Sequence, residues 1–334
     1  MRSDTPRPRR FGFILVDGYP LMSTAAAVEP LRAANLLSGR ALYDLRFLSL
    51  EGEEAHASVG ALFRTTPIAQ AGTGFDLVFV VAGGDPVGFR HRGLTAYLRQ
   101  LGARGVPLGG ISGGAAILAE AGLLANRRFT VHWEHYEALQ ARSADHMMER
   151  RLFVIDRDRY SCAGGTAPLD MMHAIVAGEH GAALARRVSD WFIQTRIRPA
   201  DDPQRAAAGS RYRLMNPCLA AAVELMESHL ADPLSLDQVA RLSGIGKRQL
   251  QRLFAAELGM SAMEFYRRLR LDLAARLLTG TGLPLADVAG ATGFSNLSHF
   301  VRAFANRQGE TPGSFRRARS GRQEADASTS IRAS

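Results

Sequence analysis

A short pattern occurs twice between Leu236 and Phe315, and it constrains the fold more than any other feature of the chain. The first copy runs over residues 239–254 and the second over residues 288–304. Each copy begins with Val-Ala, continues to a glycine and closes on an Arg-x-Phe triplet. The two copies are 49 residues apart up to the glycine and 50 residues apart at the triplet, because the second copy holds one extra residue. The chain therefore contains two versions of one structural unit.

Each copy has the layout of two helices joined by a tight turn. A short helix buries Val and Ala, Gly244 or Gly293 ends it in a backbone conformation that is costly for other residues, and an amphipathic helix follows. This is a helix-turn-helix, whose second helix enters the major groove of DNA. Apolar residues four apart predict a further helix over residues 262–278, which can hold the two motifs about one DNA turn apart. A helical bundle that binds protein, or binds nothing, is the alternative.

The positive charge is concentrated on this part of the chain. Residues 241–319 contain 13 Arg or Lys and 5 Asp or Glu, a net charge of +8, and residues 1–10 add +3. Since the whole chain carries +9, the remaining residues are neutral or slightly acidic. Phosphate binding requires a local basic surface, so this distribution favours DNA as the partner of the duplicated unit.

Residues 216–317 resemble the DNA-binding domain of the AraC/XylS family of bacterial transcription regulators. The resemblance rests on Gly293–Phe300, on Arg302-Ala303-Phe304 and on Thr311–Arg316. It implies operator or promoter DNA and RNA polymerase as partners. The DNA-contacting residues that it implies are Lys247, Arg248, Gln251 and Arg252 in the first motif and Asn296, Leu297, Ser298 and Arg302 in the second. Arg252 and Gln251 suit guanine and adenine edges, whereas Leu297 offers only apolar contact, so the second helix is expected to discriminate less.

The rest of the chain is long enough to hold a second domain with its own core. No apolar run reaches the roughly 18 residues of a membrane span, and Phe11–Val16 is too short for a secretion signal. The two cysteines, Cys162 and Cys218, fit a reducing cytoplasm without a disulfide framework. We therefore expect a cytoplasmic protein without a membrane partner, and we expect neither a metal nor another cofactor.

Residues 11–198 alternate between short apolar runs and helical segments. The predicted strands are Phe11–Val16, Asp44–Leu50, Leu77–Ala82, Pro107–Ile111, Arg128–His132 and Phe153–Ile155. The predicted helices are Thr24–Leu37, Gly93–Arg104, Gly113–Ala121, Glu134–Arg142 and Ala167–Ala177. This order predicts an α/β fold, a flavodoxin-like parallel sheet between two layers of helices, followed by the all-α domain with its two helix-turn-helix motifs. Ligands of such sheets bind at the carboxyl ends of the strands.

The sharpest local motif is Gly110-Ile111-Ser112-Gly113-Gly114, which matches the G-x-S-x-G nucleophile elbow of α/β-hydrolases. Its glycines allow a tight turn that would leave Ser112 exposed above the sheet edge. A hydrolase also needs an acidic residue and then a histidine at later strand ends. His173 and His180 fall within or just after a predicted helix, and no convincing partner is visible.

A second resemblance covers about 185 residues: residues 11–198 resemble the class I glutamine-amidotransferase-like domains of the PfpI type. The motifs that carry it are the Ser112 elbow, Val81–Asp85, Thr130–Glu134 and Ser161–Ala167. Enzymes of that group have a cysteine at the elbow, and many have an acidic residue at a place that falls here near Ser23. Serine is a poor nucleophile without a well-placed base, and His132 is the candidate for that role. These departures suggest an enzyme fold that serves as a sensor.

The two domains in this order are typical of activators of catabolic operons whose first domain binds a small nitrogen-containing metabolite, an amino acid or a quaternary amine. The ligand-binding residues that the resemblance implies are Gly84, Asp85, Ser112, Gly113, His132, Trp133, Glu134, Gly165 and Thr166. Trp133 would offer an aromatic face to an alkylammonium ion and Glu134 a counter-charge. Backbone N–H groups at residues 112–114 and 164–166 would hold a carboxylate. The structural alternatives are packing for Trp133 and His132, and a favourable helix-start charge for Glu134.

The predicted domain organisation has five parts: residues 1–10 as a disordered basic tail, 11–198 as the sensing domain, 199–215 as a linker, 216–318 as the DNA-binding domain and 319–334 as a disordered tail. The linker is inferred from two prolines and the lack of a buried pattern. A homodimer is expected because most regulators are symmetric oligomers. The alternative function is a PfpI-type hydrolase or amidase that uses Ser112 and His132 and is fused to a DNA-binding module.

Overall fold

The structure, a computed structural model, describes residues 7–143 and 145–318. It divides into two units between Gln204 and Arg205. Most of the basic tail predicted for residues 1–10, and all of the tail predicted for residues 319–334, lie outside the described residues. Within the described part of the chain, no helix is both long enough and apolar enough to cross a membrane.

The first unit is built on a seven-stranded sheet in the order β5-β2-β1-β6-β7-β9-β8. The strands are β1 (Arg9–Leu15), β2 (Tyr43–Ser49), β3 (Glu54–His56), β4 (Leu62–Arg64), β5 (Thr66–Pro67), β6 (Leu77–Ala82), β7 (Leu108–Ser112), β8 (Phe153–Asp156) and β9 (Arg159–Cys162). Neighbours in this sheet are parallel except β8 and β9, and β3 and β4 form a separate antiparallel pair. All six residues of β6 are buried, as expected for a central parallel strand covered on both faces.

The helices of this unit are α1 (Leu21–Ser38), α2 (Arg92–Ala103), α3 (Gly114–Glu120), α4 (Tyr136–Gln140), α5 (Ala167–His180) and α6 (Ala182–Trp191). α1, α5 and α6 pack on one another and share a buried core with Phe11, Phe13 and Phe79 of the sheet. α3 packs against β6 and β7. The predicted α/β fold with a largely parallel sheet is confirmed, with the antiparallel edge strand β8 as an addition.

The strand predicted over Arg128–His132 is wrong. In this segment only Phe129 forms a bridge, an isolated one with Met148. Phe129, Thr130 and Val131 are all fully buried, so the apolar character of this segment reflects burial without a strand ladder. The place beside β7 belongs to β9, a short strand of mixed polarity that was not among the predicted strands.

Two segments, one predicted as a disordered tail and the other as a linker, form specific contacts with the rest of the chain. Arg10, which was assigned to the basic tail, lies in β1, and its Nε pairs with Asp44 at 3.0 Å. Within the predicted linker, Ala200 O accepts a hydrogen bond from Leu152 N at 3.0 Å. A short helix, α7 (Ala208–Tyr212), follows, and Ala208 is fully buried. An ion pair thus holds the end of the predicted tail, and a backbone hydrogen bond and a buried alanine hold parts of the predicted linker.

The second unit is helical throughout. After α7 come α8 (Pro217–Ser228), α9 (Leu236–Leu242), α10 (Lys247–Leu258), α11 (Ala262–Gly280), α12 (Leu285–Ala291) and α13 (Leu297–Gln308), and residues 312–318 are also helical. α9 with α10, and α12 with α13, are the two predicted helix-turn-helix motifs. α11 is the predicted helix between them. This part of the fold prediction is confirmed.

The turns of the two motifs repeat the same hydrogen bonds. Ser243 and Thr292 occupy equivalent positions, and each hydroxyl donates to the carbonyl of the Val four residues earlier, at 2.8 and 2.7 Å. Gly244 and Gly293 follow with φ of +75° and +73°. Only glycine adopts this conformation at little cost, which explains why the sequence repeat contains it.

Gly244 and Gly293 provide a matched pair of variants. A Cβ at Gly244 would meet no atom within 4 Å, whereas a Cβ at Gly293 would lie 2.7 Å from Leu230 O and 2.5 Å from Pro233 Cγ. Gly244→Ala should cost about 1–2 kcal/mol for the left-handed backbone. Gly293→Ala should cost about 1–3 kcal/mol more for overpacking. Hydrogen exchange of the α10 and α13 amides in the full chain measures both losses. Equal losses would contradict the packing role of Gly293.

Candidate functional site

Loops that follow β1, β6, β7 and β9 meet at the carboxyl edge of the sheet. After β6, Gly83 packs so closely on Gly18 that a Cβ there would lie 2.8 Å from Gly18 O. After β9, Gly164 packs so closely on Ser112 that a Cβ at Gly164 would lie 2.7 Å from Ser112 Cβ. The chain segments that sequence motifs singled out are thus brought together around Ser112.

Ser112 forms a strained turn between β7 and α3. Its φ is +58°, and the residue is only 7% exposed, so the prediction that Ser112 stands exposed above the sheet edge is wrong. A Cβ at Gly110 would lie 2.2 Å from Ala115 N, and a Cβ at Gly114 would lie 1.9 Å from Val80 O. The glycines of the motif are therefore required by the close approach of α3 to the sheet. The result has the geometry of a nucleophile elbow, with a serine at its tip.

The surroundings of Ser112 hold no hydrogen-bonded serine–histidine pair among the described residues. His132 contacts Ser112 through the backbone, where His132 N donates to Ser112 O at 3.4 Å. The His132 ring accepts a hydrogen bond at Nδ1 from Glu134 N at 3.3 Å. Burial lowers the pKa of His132, against a smaller opposing effect of Glu134. His132 is therefore a neutral ring whose Nδ1 is already engaged.

Cys162 lies directly beneath the elbow. It is fully buried, and burial raises the pKa of its thiol to about 12, although the backbone amides of Gly164 and Ser112 hydrogen-bond to the sulfur. The thiol remains protonated near neutral pH, so it does not supply a thiolate nucleophile in place of the elbow serine.

The expectation that backbone amides hold a carboxylate here is wrong for four of them. Ser112 N and Gly164 N bond to the sulfur of Cys162, and Gly113 N donates to Ala82 O at 2.9 Å. Gly165 N donates to the Oγ of buried Ser23 at 2.8 Å. Ser23 thus occupies the site edge where many related enzymes place an acidic side chain. Because these amides are already used, a ligand must be recognised mainly by side chains.

The other predicted ligand residues lie around this edge with different partners. Gly84, Gly165 and Thr166 are exposed, while Gly113 is buried against Pro86. Asp85 Oδ1 accepts a hydrogen bond from Gly88 N at 2.9 Å, so its carboxylate closes its own turn. Burial raises the pKa of that carboxyl, more than its hydrogen bonds and nearby arginines lower it.

Trp133 and Glu134 extend from the same loop as His132. The Trp133 indole is partly exposed, and its centroid lies 5.3 Å from that of the His132 ring. The Glu134 side chain is 52% exposed, with Oε2 3.9 Å from His132 Nδ1. An aromatic face and an accessible carboxylate therefore occur on adjacent residues, which is the combination that recognises an alkylammonium group.

A buried ion pair links Thr166 to the end of the first unit. Arg198 Nη2 donates to Thr166 Oγ1 at 2.9 Å and to Asp170 Oδ2 at 2.6 Å. The Asp170 side chain is fully buried and also accepts from Arg198 N and from Gln194 Nε2, at 2.9 and 2.8 Å. Sequence reasoning missed this network. A lone acidic residue in the apolar run of α5 was the available signal.

Gln204 makes a second link, to the loop that carries His132. Its Nε2 donates to Thr130 Oγ1, Val131 O and Arg151 O at 3.0, 3.0 and 2.8 Å. Residues 194–204, which we name the terminal segment, are thus hydrogen-bonded to two of the loops that hold predicted ligand residues. Gln204 is the last residue of the first unit.

A separate cavity of about 840 Å³ lies elsewhere in the first unit, between α2 and the residues around β5. Its lining includes Ile68, His91, Tyr97 and Gln100, and it includes none of the nine predicted ligand residues. Its size suits a small molecule, but the residues that the sequence motifs predict to bind a ligand lie around Ser112 and not in this cavity.

In the second unit, all eight predicted DNA-contacting residues are exposed. Arg248, Gln251 and Arg252 share one face of α10 through their helical spacing. Lys247 pairs with Asp237, with Nζ 3.1 Å from Oδ2. Asn296 caps α13, because its Oδ1 accepts from His299 N at 3.0 Å. The recognition helix α10 therefore exposes arginine and glutamine side chains on one face, whereas the Asn296 side chain is used to cap α13.

Comparison with known proteins gives matches for both units. The helix-turn-helix domain family matches residues 239–318, and the DJ-1/PfpI family matches residues 13–178. The chain is 43% identical over 317 residues to the HTH-type transcriptional regulator GlxA of Rhizobium meliloti (strain 1021), a match that covers 94% of this chain and 98% of the relative. It is 39% identical over 302 residues to the HTH-type transcriptional regulator CdhR of Pseudomonas aeruginosa, covering 90% of each.

Among solved structures, the chain is similar to an AraC family transcriptional regulator from Pseudomonas putida. The sequence identity is 29%, the TM-score is 0.52, and the match covers 55% of this chain and 100% of that one. The aligned region therefore includes the whole of that solved chain and about half of this one.

His135 should respond to pH in a way that its burial determines. Burial, with a smaller effect of His132, lowers the pKa of His135 from 6.5 to about 4. The native state therefore binds fewer protons than the unfolded chain, so stability from this group is present above pH 6.5 and is lost as the pH falls toward 4. An NMR titration should give a midpoint near 4 for this ring. As the pH falls from 6.5 to 4, the free energy of unfolding should decrease more in the wild type than in His135→Gln. A titration midpoint near 6.5 would contradict the burial of this ring.

Proposed function

Because the chain belongs to the AraC-type transcription regulators that carry an N-terminal DJ-1/PfpI-type domain, we propose that it regulates a catabolic operon in response to a small metabolite. The second unit binds operator DNA, and the first unit holds the metabolite at the carboxyl edge of its sheet. The metabolite contains nitrogen and is an amino acid or a quaternary amine.

The observation that carries this proposal is an elbow without its catalytic partners. Ser112 has the strained backbone of a nucleophile at φ +58°, but the hydrogen bond that His132 makes to it comes from the backbone. The thiol of Cys162 is buried and protonated. A site that keeps the shape of an enzyme and lacks an activated nucleophile is suited to binding without turnover.

Ligand recognition rests on side chains at this edge. Trp133 offers an aromatic face and Glu134 a carboxylate that is half exposed, which together favour a substituted ammonium group. The Ser112 hydroxyl and the neutral His132 ring supply hydrogen bonds to the polar end of the same molecule. Gly84, Asp85, Gly165 and Thr166 complete the rim.

The signal leaves the site through the terminal segment. Arg198 holds Thr166, and Gln204 holds Thr130 and Val131, next to His132. A ligand that prefers one arrangement of these loops shifts the population of the segment that continues into the DNA-binding unit. The shift is limited by the difference between the affinities of the ligand for the two states.

The DNA-binding unit reads bases through Arg248, Gln251 and Arg252, with Lys247 beside them and with Leu297 and Ser298 in the second motif. The chain acts in the cytoplasm as a homodimer and activates transcription through contact with RNA polymerase. The similarity to named transcriptional regulators supports this assignment.

A hydrolase or amidase activity of Ser112 with His132 is the second candidate. The left-handed backbone of Ser112, which is typical of a nucleophile elbow, is the observation that favours it. Ser112→Ala separates the two functions. It should abolish turnover in an enzyme, whereas the sensor loses one hydrogen bond to its ligand and should keep ligand-dependent transcription, with a higher metabolite concentration needed for the response.

Thermal denaturation of the full chain with amino acids, betaines and carnitine-like compounds tests the sensor. A ligand at 100 times its dissociation constant should stabilise the chain by about 2.7 kcal/mol. Trp133→Leu should remove the shift, and Trp191→Leu, which changes an exposed tryptophan of the same unit, should keep it. Loss of the shift in both variants, or in neither, would overturn the role of Trp133. A library without any active compound would overturn the ligand class.

Base reading by the first motif is tested with Arg252→Ala. The variant should lose about 1–3 kcal/mol of operator binding and accept more sequences, because a bidentate contact to guanine is removed. Sequence selection from a random library, followed by anisotropy titrations, measures both effects. Arg241→Ala removes the same charge from α9 and is the control. Equal affinity and equal preference in the two variants would contradict this role of Arg252.

A further inference from the structure

A basic groove runs between α11 and α13, beside the second recognition helix. Its volume is about 480 Å³. Arg267 and Arg268 of α11 line one side, and Arg302 and Arg307 of α13 line the other. Glu264 and the buried Leu271 also line it. We name this feature the α11–α13 groove.

Two of the four arginines have a carboxylate partner. Arg268 pairs with Glu264, with Nη2 2.7 Å from Oε1, and Arg307 pairs with Asp272, with Nη2 2.7 Å from Oδ1. Arg267 and Arg302 are exposed, and neither forms an ion pair or a side-chain hydrogen bond with another residue that the structure describes. Two guanidinium groups without a counter-charge thus line opposite sides of one groove.

The first motif provides an internal comparison. α8 packs against α10 as α11 packs against α13. α8 contains neither Arg nor Lys, whereas α11 contains four arginines. The residue 50 positions before Arg307 is Glu257, whose Oε2 accepts a hydrogen bond from Met215 N at 2.7 Å. Arg302 has an equivalent in the first copy, Arg252, but the arginines of α11 and Arg307 have none, so the combination of basic residues that forms the groove is specific to the second copy.

The second motif also has fewer groups for reading bases. The Oδ1 of Asn296 is used as a helix cap, and Leu297 offers only an apolar side chain. A recognition helix in the major groove has phosphates on both sides, and contacts to these phosphates fix position without reading sequence. Guanidinium groups suit them because two parallel N–H groups match two phosphate oxygens.

We propose that the α11–α13 groove holds a backbone phosphate of the operator, with Arg267 and Arg302 as its ligands. The second motif then anchors the protein on the DNA backbone, and the first motif reads the sequence. Arg302 accordingly contacts phosphate and not the base edge that family resemblance implies. This proposal rests on the proposed DNA-binding function.

The test compares Arg267→Gln and Arg302→Gln in the full chain with Arg64→Gln, which removes one exposed charge from the first unit. Anisotropy titrations use a selected operator duplex and an unrelated duplex between 50 and 200 mM salt. Each groove variant should lower the slope of log K against log salt and weaken both duplexes by a similar factor, roughly tenfold, and the double variant should lower the slope by about 1, since one phosphate is no longer neutralised. Arg267→Lys should keep most of the slope, because it keeps the charge.

Four outcomes would each overturn an assignment. Slopes equal to that of Arg64→Gln would show that the groove does not contact DNA. Altered base preference in Arg302→Gln would return that residue to base reading. If inorganic phosphate raises the Tm of the wild type and not of Arg267→Gln, while the DNA slopes are unchanged, the groove takes a free phosphate compound instead. Failure of the wild type to bind any duplex would overturn the proposed function itself.

Discussion

The close backbone packing around Ser112 is the constraint on which the first unit depends. Ser112 keeps a left-handed backbone because Gly110 and Gly114 allow α3 to approach the sheet to distances that no Cβ would permit. The same packing directs the amides of the turn toward Cys162 and Ala82. Four of the six backbone amides that were expected to bind a carboxylate are thereby engaged within the protein. In the proposed function, ligand specificity therefore depends mainly on side chains that project from the surrounding loops.

This fixed edge is joined to the end of the first unit by charged and polar contacts. Asp170 is fully buried, and Arg198 neutralises it while also holding Thr166. Because the Asp170 carboxylate has no access to solvent, the loss of Arg198 would leave a buried charge without its partner, so this contact is costly to break. In the second unit the two copies of the motif have diverged, because Arg248, Gln251 and Arg252 share an exposed face of α10, whereas additional arginines of α11 lie beside α13. The proposed sensing and DNA-binding functions thus use separate sets of residues in one chain.

Local constraints were visible in the sequence, and long-range ones were not. The glycine turns at Gly244 and Gly293 were predicted because their backbone conformation depends on the residue itself. β9 was missed, since a short strand of mixed polarity is defined by its neighbours in the sheet. The bond from Gly165 to Ser23 joins residues 142 positions apart, and the links from Arg198 and Gln204 are also long-range. No spacing rule reveals such contacts, so the elbow was predicted while the engagement of its amides was not.

The most direct test of the central claim is the reciprocal coupling between the two units. The affinity of the metabolite that stabilises the chain is measured by calorimetry without DNA and with saturating operator duplex. If metabolite binding shifts the DNA-binding state, the two dissociation constants should differ by roughly 5–150-fold, because coupling of about 1–3 kcal/mol acts equally in both directions. Identical dissociation constants would mean that the first unit does not control DNA binding, and the account of a metabolite-controlled DNA-binding state would fail.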